Sequence, residues 1–263
     1  MVGDLTVRRH LDLEGAYNIR DIGGYVTSGG RSIRWRTMLR GDSLHRLPPP
    51  SEIALIEHGV RTVIDLRTTA ELQAAPDVFV NSSRVRYIHR NILGDVKGSE
   101  DSTLQRSIGD AERRLKEIYI TALDHRRPMI VDTLGILAEP DILPALFHCF
   151  AGKDRTGLIA ALLLGLVGVP AEVIAEDYAM SSVYLSKRYF DPEAASEIDA
   201  SGCTLEEYQR EYCYCAPDLM LDTLGHIDKS YGGIEEYVTE GGLDQDQIEM
   251  IRKSLLEGGN LSS

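Results

Sequence analysis

Pro144-Ala145-Leu146-Phe147-His148-Cys149-Phe150-Ala151-Gly152-Lys153-Asp154-Arg155-Thr156-Gly157 joins a short apolar run to a glycine-containing loop and then to an uncharged stretch that continues to Ala171. The apolar run has the length and residue types of a buried strand, and Thr156 to Val169 those of a helix. Strand, loop and helix in that order put the loop at a helix N-terminus, where backbone N–H groups and the helix dipole favour an anion. Further out, Val63 to Leu66 reads as a buried strand and Arg84 to Ile92 as another. Tyr25-Val26 and Ile33-Arg34-Trp35 flank Ser28-Gly29-Gly30 as a hairpin, and Ser51 caps a short helix that Gly59 ends. Pro170 opens the next helix, running to about residue 188, and the rest of the chain is mostly helical in pattern. The expected class is α/β with a helix-rich C-terminal part.

The 263 residues contain no internal repeat and no low-complexity linker, so a single domain over 1–263 is the economical reading. Leu104, Ile108, Leu115, Ile118 and Ile120 have helix-like spacing, and Met129 to Leu137 reads as another helix. These helices, an insertion at about 100–140, could form a lid or simply pack. A net charge of −13 opposes a broad nucleic-acid or anionic-membrane surface, so any phosphate site must be concentrated. Met1 to Gly15 carries charges throughout and does not read as a secretory signal. The uncharged stretch from Thr156 to Ala171 is shorter than the ~20 residues a spanning helix needs. Cysteines at 149, 203, 213 and 215 do not make a disulfide framework, which points to a reducing, cytoplasmic setting, with non-classical export left open. Cys213 and Cys215 lack the further ligands of a metal site.

Cys149-X5-Arg155 carries the chemistry. A loop of that length lets successive N–H groups, from Phe150, Ala151, Gly152 and Lys153, converge on phosphate oxygens. The same donors and the helix dipole favour a thiolate at Cys149, bringing a free-cysteine pKa of ~8.5 toward the ~3.5–7.5 range of reactive cysteines. Arg155 offers a planar fork to two phosphate oxygens. Gly152 and Gly157 permit a tight backbone, the Thr156 hydroxyl is placed to donate to the cysteine sulfur, and His148 orients the loop.

The decapeptide from His148 to Gly157 resembles the phosphate loop of the atypical tyrosine/serine protein phosphatases of bacteria and fungi. Asn18-Ile19-Arg20-Asp21-Ile22-Gly23-Gly24 is similar to that family's N-terminal signature, and Arg40-Gly41-Asp42-Ser43 and Tyr231-Gly232-Gly233 to Tyr237 to weaker blocks. The stretch from about Leu72 to Asp141 carries no matching motif. The resemblance implies a cysteine-phosphatase fold with a central, mostly parallel sheet, a phosphocysteine intermediate, no metal and no cofactor. It implies phosphotyrosine protein substrates, with phosphoserine, phosphothreonine and phosphoinositides as further classes, and it leaves the oligomeric state open. Lys153 fits a polyanionic lipid headgroup or strengthens phosphate binding.

A general acid is needed for the leaving oxygen and a base for water, and one carboxyl can serve both. Asp154 is favoured by its place in the loop and by the resemblance; Asp65, at a strand end before Arg67, is the alternative. Asp65 could equally be a structural partner of Arg67, and Arg20 and Asp21 an ion pair supporting the loop. A phosphate-reading module without turnover competes with the enzyme, as does redox sensing with Cys203, Cys213 or Cys215 as partner.

Overall fold

The computed structural model describes residues 9–94, 111–187, 204, 206 and 213–257. A five-stranded sheet is ordered β1-β2-β5-β3-β4. Its strands are β1 (Arg20–Asp21), β2 (Met38–Gly41), β3 (Thr62–Asp65), β4 (Arg86–His89) and β5 (Ala145–His148). β1 is antiparallel to β2, and the remaining neighbours run parallel. The strand read from the sequence between Pro144 and His148 is thus the central one. All four of its residues are buried, as are all four of β2 and of β3, which is the near-continuous apolar pattern of a sheet covered on both faces.

Strand alternation assigns the faces. Met38, Ile64, Ala145 and Phe147 enter the larger core with the C-terminal helices, whereas Leu39, Val63 and Leu146 enter a smaller core with Leu55 and Phe79. The smaller core is covered by α1 (Pro49–His58) and followed by the short α2 (Thr69–Ala74). The larger one takes α3 (Ala111–His125), α4 (Arg127–Gly135), α5 (Asp154–Leu166) and α6 (Ala171–Leu185). To these it adds α7 (Pro217–Tyr231), α8 (Ile234–Glu240) and α9 (Gln245–Leu255). From Thr156 to Leu166 α5 is buried on nearly every side, as expected for a helix apolar all round.

Element boundaries shift where local chemistry decides them. Ser51 lies inside the first turn of α1 rather than capping it, because Pro49 and Pro50 supply the preset φ of an opening turn. Gly59 does end that helix, with φ 121°. α5 begins at Asp154, so Asp154 and Arg155 belong to its first turn. Pro170 stands just before α6 as its N-cap. The hairpin is present as a bridge between Val26 and Ser32. α3 and α4 bury Tyr119, Leu123, Ile130 and Leu134 in the main core, so their described residues pack rather than stand off as a lid. The sequence-predicted helical turn from Leu104 onward lies, up to residue 110, outside the described residues.

Candidate active site

Cys149 follows β5 directly and is 2% exposed, a free thiol at the mouth of the 149–155 loop. The loop is shaped by what holds its carbonyls. Phe150 O accepts from Ser43 N at 3.0 Å, Ala151 O from Asn18 Nδ2 at 3.0 Å, and Gly152 O from Asn18 Nδ2 at 3.1 Å and from Arg40 at 2.9 Å. In a trans peptide the N–H points opposite its C=O, so tying these carbonyls outward turns the N–H groups of Ala151, Gly152 and Lys153 toward the loop interior. Gly152 has φ 68°, and a Cβ there would lie 2.5 Å from the backbone of Gly41. Only glycine meets both demands.

Behind the loop, Arg20 and Arg40 converge on Asp177 of α6. Arg20 Nε donates to Oδ1 at 3.0 Å and Arg40 to Oδ2 at 2.5 Å, while Tyr25 donates to Oδ1 at 2.9 Å. Arg20 also donates to the Asn18 side-chain oxygen, which fixes the amide that holds the loop. Burial alone would raise the Asp177 pKa, but the two guanidiniums hold it well below the usual carboxylate range. The expected Arg20–Asp21 ion pair does not form: consecutive strand residues face opposite sides. Asp21 instead accepts from Gly23 N at 2.7 Å and Arg36 N at 2.7 Å, pinning the turn after β1.

Beneath Cys149, on the other face of the sheet, His148 Nε2 lies 3.2 Å from Asp77 and 3.9 Å from Asp65. His148 Nδ1 is 3.1 Å from Cys149 O. Burial opposes a charged imidazole, but the two carboxylates outweigh it and raise the His148 pKa. Asp65 is fully buried, gripped by Arg67 at 2.7 Å and by the Tyr87 hydroxyl at 2.7 Å. Despite its burial, His148 and Arg67 keep it well below the usual range. Asp65, Asp77 and His148 offer ligand atoms within 4.8 Å of one another, yet Arg67 already occupies Asp65 and its charge disfavours a cation there.

On the front of the loop, Arg155 is held by a residue that the sequence reading passed over. Its NH1 and NH2 donate to Glu71 at 2.5 Å and 2.7 Å, a two-pronged pair. Glu71 closes a capping box on α2 with Thr68, so the helix cap also fixes the arginine. Thr68-Thr69-Ala70-Glu71 was legible as a cap; its reach to Arg155 was not. Desolvation pushes the Glu71 pKa up, but Arg155 brings it down to about 2. The Arg155 pKa is raised: burial works against it, and Glu71 and Cys149 prevail.

Asp154, one residue earlier, keeps 36% of its side chain exposed and accepts from Tyr119 at 2.5 Å. Lys153 is 3% exposed, with Nζ 3.5 Å from Asp154 Oδ1. Thr156 donates to Gly41 O at 3.5 Å rather than to the Cys149 sulfur. The Cys215 thiol is pushed up to about 12 by burial, which makes it a poor thiolate.

A cysteine at the end of a central parallel strand, an anion-cradling turn and an arginine opening the next helix place this chain among the cysteine-loop phosphatases. It belongs to the tyrosine phosphatase family, whose model matches residues 11–257, and it is a protein tyrosine phosphatase. It is 30% identical to a tyrosine-protein phosphatase of Nostoc commune, over 84% of this chain and 74% of that one. It is 27% identical to the triple specificity protein phosphatase PtpB of Mycobacterium tuberculosis, over 93% of this chain and 98% of that one. Among solved structures, P. aeruginosa TpbA in complex with phosphotyrosine is similar at 18% identity and a TM-score of 0.27. That match covers 72% of this chain and 86% of that one, a likeness too slight to build on. Among the described residues, no helix is long and apolar enough to cross a membrane.

Proposed function

We propose that the chain hydrolyses phosphoprotein monoesters in two steps, with Cys149 as nucleophile, Arg155 as phosphate clamp and Asp154 as acid, then base. The observation that carries this reading is the loop itself: its carbonyls are tied outward, which by trans-peptide geometry turns its N–H groups toward the loop interior, between Cys149 and the N-terminus of α5. In the first step the S–P bond forms as the P–O bond breaks, and the Asp154 proton goes to the leaving oxygen. In the second, water forms a P–O bond, the S–P bond breaks, and a water proton returns to Asp154. Arg155 has five N–H donors and spends two on Glu71, leaving the others for phosphate. Asp154 serves better than Asp65 because it is part-exposed beside the loop, whereas Asp65 is fully buried between Arg67 and Tyr87.

Phosphotyrosine is the primary substrate, and breadth beyond it is supported by the triple specificity named for the mycobacterial relative. Lys153 gives no support to a lipid headgroup reading, since it is buried against Asp154. One domain and a reducing cytoplasm complete the proposal, supported by the shared sheet and by the free cysteines. Turnover of p-nitrophenyl phosphate in EDTA is the test. Cys149→Ser should reduce kcat by about four orders of magnitude or more, and retained activity would refute the mechanism.

A further inference from the structure

The acid of the proposed mechanism carries an arrangement that the family motifs do not contain. Tyr119 of α3 is 1% exposed and donates to Asp154 Oδ1 at 2.5 Å. Lys153 Nζ lies 3.5 Å from the same oxygen, and among the described residues Oδ2 has no partner. A phenol has one proton, so with Tyr119 donating to Asp154, the Tyr178 hydroxyl, 2.8 Å away, must donate to Tyr119. Tyr178 reaches this position because Gly157 leaves room for its ring, where a Cβ would lie 3.0 Å from Cδ2. Burial first, then the Asp154 carboxylate, raises the Tyr119 pKa well above 10, so it remains a donor throughout the working range.

A protonated carboxyl has one carbonyl-like oxygen and one hydroxyl. With donors gathered on Oδ1, that oxygen is the acceptor and the proton sits on Oδ2. We propose that Tyr119 is the positioning residue of the general acid: it fixes the Asp154 rotamer and the tautomer that aims the Oδ2 proton at the leaving oxygen. The proposal rests on Asp154 being the acid. It assigns a role to a residue in the stretch from Leu72 to Asp141, where no motif pointed to the site. In the second step the same hydrogen bond leaves Oδ2 bare to take the proton of the attacking water.

The test is kcat over phosphate monoesters whose leaving groups run from p-nitrophenol to alkyl alcohols, for Tyr119→Phe, Asp154→Asn and the double variant. Tyr119→Phe should lower kcat about tenfold or more for phosphotyrosine peptide and alkyl phosphates, less than about threefold for p-nitrophenyl phosphate, with KM unchanged. In the Asp154→Asn background the same change should add nothing, because the two groups act as one unit. Equal slowing across the series, or full additivity in the double variant, would overturn the role of Tyr119 while leaving a leaving-group-dependent Asp154→Asn intact. An Asp154→Asn that slows all substrates equally would remove the acid assignment and this proposal with it. Tyr178→Phe, which removes only the donor to Tyr119, gives the same pattern at smaller amplitude if the proposal holds. A flat response from Tyr178→Phe beside a flat Tyr119→Phe would refute it whatever the stability of either variant.

Discussion

The rear and the front of the phosphate loop are both built from ion pairs, but they are built differently. Behind it, Arg20, Arg40 and Asp177 are each no more than 1% exposed, and two guanidiniums share one carboxylate. Their surplus donors go to the carbonyls of Gly152 and Asp177 and to Asn18. The unmatched positive charge lies behind an anion site, where it favours a thiolate and a phosphate. In front, the side chains of Glu71 and Asp154 are 28% and 36% exposed. Water and substrate can compete for those groups. A buried charge holds shape only while all its partners stay in place, whereas a half-exposed pair can exchange partners during a reaction. The rear is therefore scaffold and the front is machinery.

Asp177→Ala should break the scaffold. It strands two buried guanidiniums, so unfolding in urea should show a loss of about 3–5 kcal/mol. Glu71→Gln should instead act on the machinery, raising KM for phosphotyrosine peptide about tenfold with a stability loss clearly smaller than that of Asp177→Ala. A stability loss as large as that of Asp177→Ala would erase the distinction between the two sides. The smallest expected effect is in pH. The Glu71 carboxyl drops from 4.5 to about 2 in the folded chain, a depressed value, so its contribution is fully present above 4.5 and is lost as pH falls toward 2. The stability difference between wild type and Glu71→Gln, followed by unfolding across that window, should shrink as pH falls.

How legible each side was in the sequence follows from separation along the chain. β5, the loop and α5 are consecutive, and their chemistry depends on spacing that the sequence displays directly, so the α/β class and the Cys149 to Arg155 loop could be read without coordinates, while the parallel sheet came with the family resemblance. Arg155 and Glu71 are 84 residues apart, Asp154 and Tyr119 35, Arg20 and Asp177 157. Those partners are chosen by packing, and a glutamate in a helix cap or a tyrosine on an amphipathic helix looks the same whether or not it reaches a site. Arg20 and Asp21 show the converse: adjacency suggested a pair that strand geometry forbids.

Labelling during turnover of a phosphotyrosine peptide, quenched by rapid detergent denaturation at neutral pH and followed by peptide mapping, tests the central claim most directly. The account predicts phosphate on the peptide carrying Cys149 with the stability of a thiol phosphate, retained in base and released by mild acid or iodine, appearing before product release is complete. Turnover with no enzyme-bound phosphate, or with phosphate on any other residue, would contradict it.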